Sequence, residues 1–246
     1  MRTLLLLLLL TLPARAAPDL TGIGFDPHPG ARLPTATPQR DETGRAITLA
    51  DAMQARPTIL ALVYFHCPNL CGVVEDDLYA AIAASGLHDG EYSLVAASID
   101  PSETQSDAAA AKAAALARYP QARDWRFLVG DTTAIQRAVG FHARYDDQIR
   151  QFIHPAGLTI ASTGGTVTGY LLGVGTSPVE LRAAVAGAAL EKVSAAPSPL
   201  LLLCFHFDPA TGRYTLAIER ILRIAAAVTV VGIGATLVHA RRHRRA

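Results

Sequence analysis

The sequence predicts an α/β sandwich whose sheet is parallel in its middle and closes with an antiparallel hairpin, followed by a C-terminal membrane-spanning helix. Three observations carry this. Apolar runs of strand length alternate with helix-patterned stretches from about Asp41 to Ala189. Gly164-Gly165 joins the last two strand-like runs, and glycine supplies the positive φ angles of a tight hairpin turn. Ile224 to Val238 carries no charge and is followed by Arg241, Arg242, Arg244 and Arg245.

In chain order, Met1-Arg2, the leucine block Leu4 to Leu10 and Ala14-Arg15-Ala16 have the charged, apolar, small-residue order of a secretory signal peptide, assigned to residues 1–16. The block is far shorter than the ~20 residues a spanning helix needs. Residues 17–40 are rich in Pro and Gly with little periodicity and read as an extended lead-in. The domain then occupies residues 41–190, and no internal repeat shows.

Ile59 to Phe65 is a continuous apolar run, the mark of a strand covered on both faces. Gly72 to Ala84 reads as a helix closed by Ser85-Gly86, and Tyr92 to Ile99 as the second strand, ending at Asp100-Pro101. The alanine-rich stretch Ser106 to Tyr119 has high helix propensity and stops at Pro120. Arg126 to Val129 is a short strand, and Thr132 to Val139 a short helix ending at Gly140. Leu158 to Ser162 and Val167 to Leu172 form the hairpin. Ser177 is the expected N-cap of a last helix through Leu190, with Pro178 in its first position. The order β-α-β-α-β-α-β-β-α, with right-handed crossovers, is that of a thioredoxin-like sandwich.

Residues 191–215 read as a linker carrying Cys204 and His206, 216–240 as the spanning helix and 241–246 as a basic tail. Arginines stay cytoplasmic, so the domain is expected on the other side of the membrane, in the periplasm of a bacterium. The formal net charge of +1 conceals this asymmetry. No basic patch interleaved with aromatics occurs outside the tail, which excludes nucleic acid as a partner.

Cys67-Pro68-Asn69-Leu70-Cys71 sets two thiols four residues apart where the first buried strand turns into a helix. Free N–H groups and the dipole at a helix N-terminus favour thiolate, the form that attacks disulfides and binds soft metals. Such sulfurs can clasp one metal ion or close on each other. Three cysteines rule out a framework of paired disulfides, so the thiols are there for chemistry. Cys204 and His206 alternate, and on an extended segment they would face one side, either as a second transient metal-binding pair or with Cys204 as an apolar core residue. Glu75, Asp76 and Asp77 read as a solvated face, and His28, His88 and His142 as surface residues. Asp100-Pro101 reads as a turn into the next helix.

Tyr64-Phe65-His66-Cys67-Pro68-Asn69-Leu70-Cys71, Ser98-Ile99-Asp100-Pro101, Gly140-Phe141, and Phe152-Ile153-His154 ahead of a hairpin and Gly173 together resemble the Sco/SenC family of membrane-anchored thioredoxin-like proteins, over about residues 20–190. The segment from Leu203 to Tyr214 resembles the extension of a C-terminally anchored subset of that family. The resemblance implies copper, Cu(I) or Cu(II), held by Cys67, Cys71 and His154. It also implies help in assembling the copper centre of cytochrome c oxidase. The expected partners are therefore the membrane, the copper-site subunit of that or a similar oxidase, and other periplasmic copper or thiol-redox proteins. One departure from the family pattern is Pro155, directly after His154.

Two thiolates and an imidazole suit Cu(I), and the nitrogen widens tolerance to Cu(II). Structural zinc wants four protein ligands, and only three are evident. His66 is a fourth ligand, a neighbour that raises the thiolate character of Cys67 electrostatically, or a part-exposed loop residue. The alternative function is thiol-disulfide exchange, in which Cys67 attacks a partner disulfide and Cys71 resolves it, with no obligatory metal. His154 separates the two readings, because an exchanger has no need of it.

Overall fold

The computed structural model describes residues 22–66, 71–173, 175–195, 225–230 and 232–234, with the side chains of 71–74 excepted. The expected signal peptide, Cys67, the Cys204/His206 segment and the basic tail lie outside the described residues, as does most of the expected spanning helix. Residues 225–230 and 232–234 are helical and exposed. Among the described residues no helix is long and apolar enough to cross a membrane.

A seven-stranded sheet organises the domain. Its middle consists of β4 (Thr58–Val63), β5 (Ser93–Ser98) and β6 (Arg126–Val129), mutually parallel, with Ile59 opposite Leu94 and Ala96 opposite Phe127. Every residue of β4 and β5 is buried, which is why both read as unbroken apolar runs. β10 (Gly157–Ala161) pairs antiparallel with β4, and β11 (Val167–Leu172) pairs with β10 to form that edge.

The other edge differs from expectation. β2 (Pro38–Asp41) and β3 (Ala46–Thr48) form a hairpin that adds to β6, and β1 (Gly24–Phe25) pairs with β7 (Phe141–His142). The stretch read as an extended lead-in therefore enters the sheets. These strands have two to four residues, too few to show a period, and β2 alternates exposed and buried positions. β3 runs straight into α1 (Leu49–Met53), whose N-cap Thr48 and Asp51 form a capping box.

Residues of opposite parity on the strands feed two cores. Ile59, Ala61 and Val63 face α2 (Cys71–Ser85), α3 (Gln105–Arg118) and α5 (Pro178–Ala189), through Leu78, Ile82, Ala108, Leu181 and Val185. Leu60, Leu62 and Tyr64 face α1 and α4 (Thr133–Ala138), through Leu49, Met53 and Ile135. Ser177 caps α5 with Pro178 in its first turn, as the sequence indicates. Gly140 is the one residue type its position accepts: φ is +63°, and a Cβ there would lie 1.6 Å from the Asp26 carbonyl oxygen.

Candidate metal centre

β4 ends at Val63, and the chain passes through Tyr64, Phe65 and His66 before Cys67, while Cys71 opens α2. This is the carboxyl end of a parallel strand next to a helix start, where open α/β sheets place their sites. The sequence reading of the strand before the dithiol and the helix after it holds to within two residues at each boundary.

His154 arrives by register. β10 runs antiparallel to β4 with Thr159 opposite Leu60, so His154, three residues ahead of β10, lies toward the carboxyl end of β4 and shares a cavity wall with Val63. A hairpin the sequence did not announce delivers it. β8 (Arg144–Asp146) and β9 (Gln151–Ile153) pair just ahead of His154, and Phe152 packs edge-on against Tyr64 with ring centroids 5.7 Å apart. The His154 ring lies against Phe141, centroids 6.3 Å apart.

The chemistry of His154 follows from these surroundings. Burial pushes its pKa below the usual histidine range, and a contact with the Pro155 carbonyl opposes this only in part. Its Nδ1 sits 3.1 Å from that carbonyl oxygen. A carbonyl only accepts, so Nδ1 carries the proton and the lone pair is on Nε2. A neutral imidazole whose tautomer is fixed by a carbonyl is the form that ligates metals. Pro155 keeps its carbonyl and so keeps this contact.

A cavity of about 30 Å³ lies between His154, Pro155, Val63, Leu158 and, on α2, Glu75 and Leu78. A water needs roughly 10–15 Å³, so the cavity has room for two or three bodies of that size and for no organic substrate. Two roomier hollows, one beside Pro38 and Gly130 and one between β11 and α5, have no histidine or cysteine in their walls.

The three acidic residues of α2 are not one solvated face. Glu75 lines the cavity; Asp76 pairs with Arg118; Asp77 accepts the N–H groups of Gly175 and Thr176 at 2.9 and 2.8 Å, tying α2 to the loop before α5. Burial first, then the negative charges of Asp76 and Glu103, push the Glu75 carboxyl up to about 7 against the pull of Arg118. The spacing that puts Glu75 one turn beyond Cys71 is visible in the sequence, but its run with Asp76 and Asp77 disguises it.

His66 is a clasp rather than a fourth ligand. Its Nδ1 lies 3.3 Å from Glu103 and its Nε2 3.2 Å from Asp107, so both ring nitrogens face carboxylates, and its backbone N–H donates to Glu103 at 2.7 Å. The Glu103 side chain is 1% exposed and also accepts from the Ser98 hydroxyl. The other oxygen of Asp107 accepts from the Thr104 N–H at the start of α3. The strand exit before Cys67 is thereby pinned to α3. Asp100 receives the Ser102 N–H and hydroxyl at 2.8 and 2.7 Å, the turn-forming part expected of it. Among the described residues, no group of three or more His, Cys, Asp or Glu is placed to hold a metal ion.

No family model matches this chain, and no curated protein matches it. Solved structures do. ScoI of Arabidopsis thaliana, solved with copper bound, is 18% identical, with a TM-score of 0.52 over 67% of this chain and 99% of that one. BsSco, described as a member of the Sco family of cytochrome c oxidase assembly proteins, gives 15%, 0.53, 68% and 98%. A SCO1/SenC family lipoprotein from Bacillus anthracis str. Ames gives 15%, 0.52, 61% and 90%. The fold is that of the Sco/SenC structures. At these identities the likeness concerns the thioredoxin-like Sco fold, and the side chains above carry the chemistry.

Proposed function

We propose that this chain is a copper metallochaperone that holds one copper ion on Cys67, Cys71 and His154 and passes it to the copper site of a membrane cytochrome c oxidase or a similar oxidase. The copper is cargo, transferred by ligand exchange to thiolates of the recipient. One observation carries the reading: His154 is part-buried and neutral, its tautomer is fixed by the Pro155 carbonyl, and it borders a small cavity against the helix that Cys71 opens. Thiol exchange alone gives no reason to build that. The donor set also fits: two soft thiolates with one imidazole suit Cu(I). The Arabidopsis ScoI structure with copper bound is of the same fold.

The same dithiol can first reduce the cysteines of a target site. In this reading residues 1–16 are removed on export, 17–215 lie on the periplasmic side, 216–240 anchor the chain in the cytoplasmic membrane and the arginines stay inside.

The test is an anaerobic Cu(I) titration of the reduced protein with X-ray absorption at the copper edge, on wild type and His154→Ala. The expected result is one copper in a shell of two sulfurs and one nitrogen, with the nitrogen lost and affinity lowered in the variant. Absence of tight copper beside a readily cycling Cys67–Cys71 disulfide would assign the chain to the thiol-disulfide oxidoreductases.

A further inference from the structure

β11 ends the sheet, and the two halves of that edge differ. Val167, Thr168 and Gly169 are buried, whereas Tyr170, Leu171 and Leu172 are half-open along the hollow of about 560 Å³ between β11 and α5. The Gly173 N–H bonds to the Ala156 carbonyl, and Leu172 stands opposite Gly157 and Leu171 opposite Leu158. Bonded pairs alternate along an antiparallel ladder, so the backbone groups of Leu171 turn to β10 and those of Tyr170 and Leu172 turn to the open edge. Such an edge is a template for a further strand.

The chain itself starts to supply one. After α5 the Ser194 N–H donates to the Thr168 carbonyl at 2.7 Å, and a Cβ on Gly169 would lie 3.6 Å from the Ser194 Cβ, so Ser194 stands opposite Gly169. Ala195 then lines the same hollow, which extends to Gly173 and Ser177 at the carboxyl end of β11. The chain therefore heads along β11 in the same direction, as the strand after a β-α-β crossover does. In a parallel pair every second residue donates its N–H to the neighbour. Counted from Ser194, the donors are Ala196 to Tyr170 and Ser198 to Leu172, which leaves Pro197 and Pro199 at positions whose nitrogens turn outward. Proline has no N–H, and within sheets it is confined to such outward positions of edge strands.

We propose that Ser194 to Pro199 adds to the sheet as an eighth strand, parallel to β11 and covering its hollow, with the two prolines blunting the new edge against other chains. β10 runs antiparallel to both β4 and β11, so β11 points the same way as β4, and the chain leaves the domain at Leu200 on the end of the sheet where β4 gives way to α2. In the membrane-anchored carrier proposed above, on which this consequence alone rests, that end of the domain is the one tied toward the membrane.

The test is residue-resolved amide hydrogen exchange on the reduced, metal-free, full-length protein in detergent, for wild type, Ala196→Pro, Ser198→Pro and Ala195→Pro. The expected result is protection of the Tyr170 and Leu172 amides in the wild type, exchange roughly tenfold faster or more when either inward donor, Ala196 or Ser198, becomes proline, and a change of less than about threefold in Ala195→Pro, whose nitrogen faces out. Amides of β4 and β5 report whether each variant is folded, and Ser198→Pro carries the comparison if Ala196→Pro unfolds them. Exchange of Tyr170 and Leu172 at open-chain rates in the wild type, or an equal response to inward and outward prolines, would overturn the pairing. Protection that falls on dilution would also overturn it, giving the edge to a second copy of the chain. No copper is present, so none of these results bears on the metallochaperone reading, which its own titration decides.

Discussion

Replacing Glu75 with Gln should change how stability depends on pH. In the folded protein burial, then Asp76 and Glu103, raise its carboxyl from the ordinary 4.5 to about 7. The folded state therefore holds this proton more tightly than the unfolded chain does. The group's effect is neutral below the unfolded value, becomes unfavourable as pH rises from about 4.5 to about 7, and is constant above that. The rise corresponds to ~3 kcal/mol at ~1.4 kcal/mol per pH unit. Glu75 is only part-buried, and solvent screening cuts this to ~1–2 kcal/mol. Urea unfolding of the reduced, metal-free protein at pH 5 and pH 8, at matched ionic strength, should show Glu75→Gln gaining ~1–2 kcal/mol over wild type across that interval. Parallel pH profiles for the two proteins would refute the claim that this carboxyl is held in an unfavourable place.

Gly140→Ala should destabilise by at least ~2 kcal/mol, because it forces a Cβ onto the Asp26 carbonyl at a left-handed φ; a thermal melt within a degree of wild type would show that the two segments are not packed as described. Pro155→Ala should lower stability by ~0.4–1 kcal/mol through the unfolded chain while leaving Cu(I) affinity within about threefold, since the carbonyl that fixes the His154 tautomer is retained. A tenfold loss of affinity would mean that the fixed φ of Pro155 positions the ring.

The sheet centre was legible because burial on both faces erases alternation: β4 and β5 read as apolar runs, and the alanine-rich α3 declares itself by propensity up to Tyr119. The β2–β3 hairpin and α1 were not legible. Their strands are too short for a period, and what secures Asp41 in its turn is local, two bonds from Thr43 and one from the Arg45 N–H. The site divides along the same line. The dithiol spacing and the position of His154 stand in the sequence, whereas the partners of His66 do not, because Glu103 and Asp107 reach it only after β5 has been laid beside β4.

Two different devices lie on either side of the point where β4 gives way to α2, one rigid and one electrostatically unfavourable. On one side His66 is held between Glu103 and Asp107, and Asp107 is itself bonded to the start of α3, so the strand exit is fixed before any ligand arrives. On the other side His154 and Glu75 border one small cavity, the histidine kept neutral by desolvation and the carboxyl pushed up by burial and by the charges of Asp76 and Glu103. A cation arriving beside the Glu75 carboxyl would relieve its desolvation, and an anchored strand exit leaves less chain to order, so both devices work toward binding.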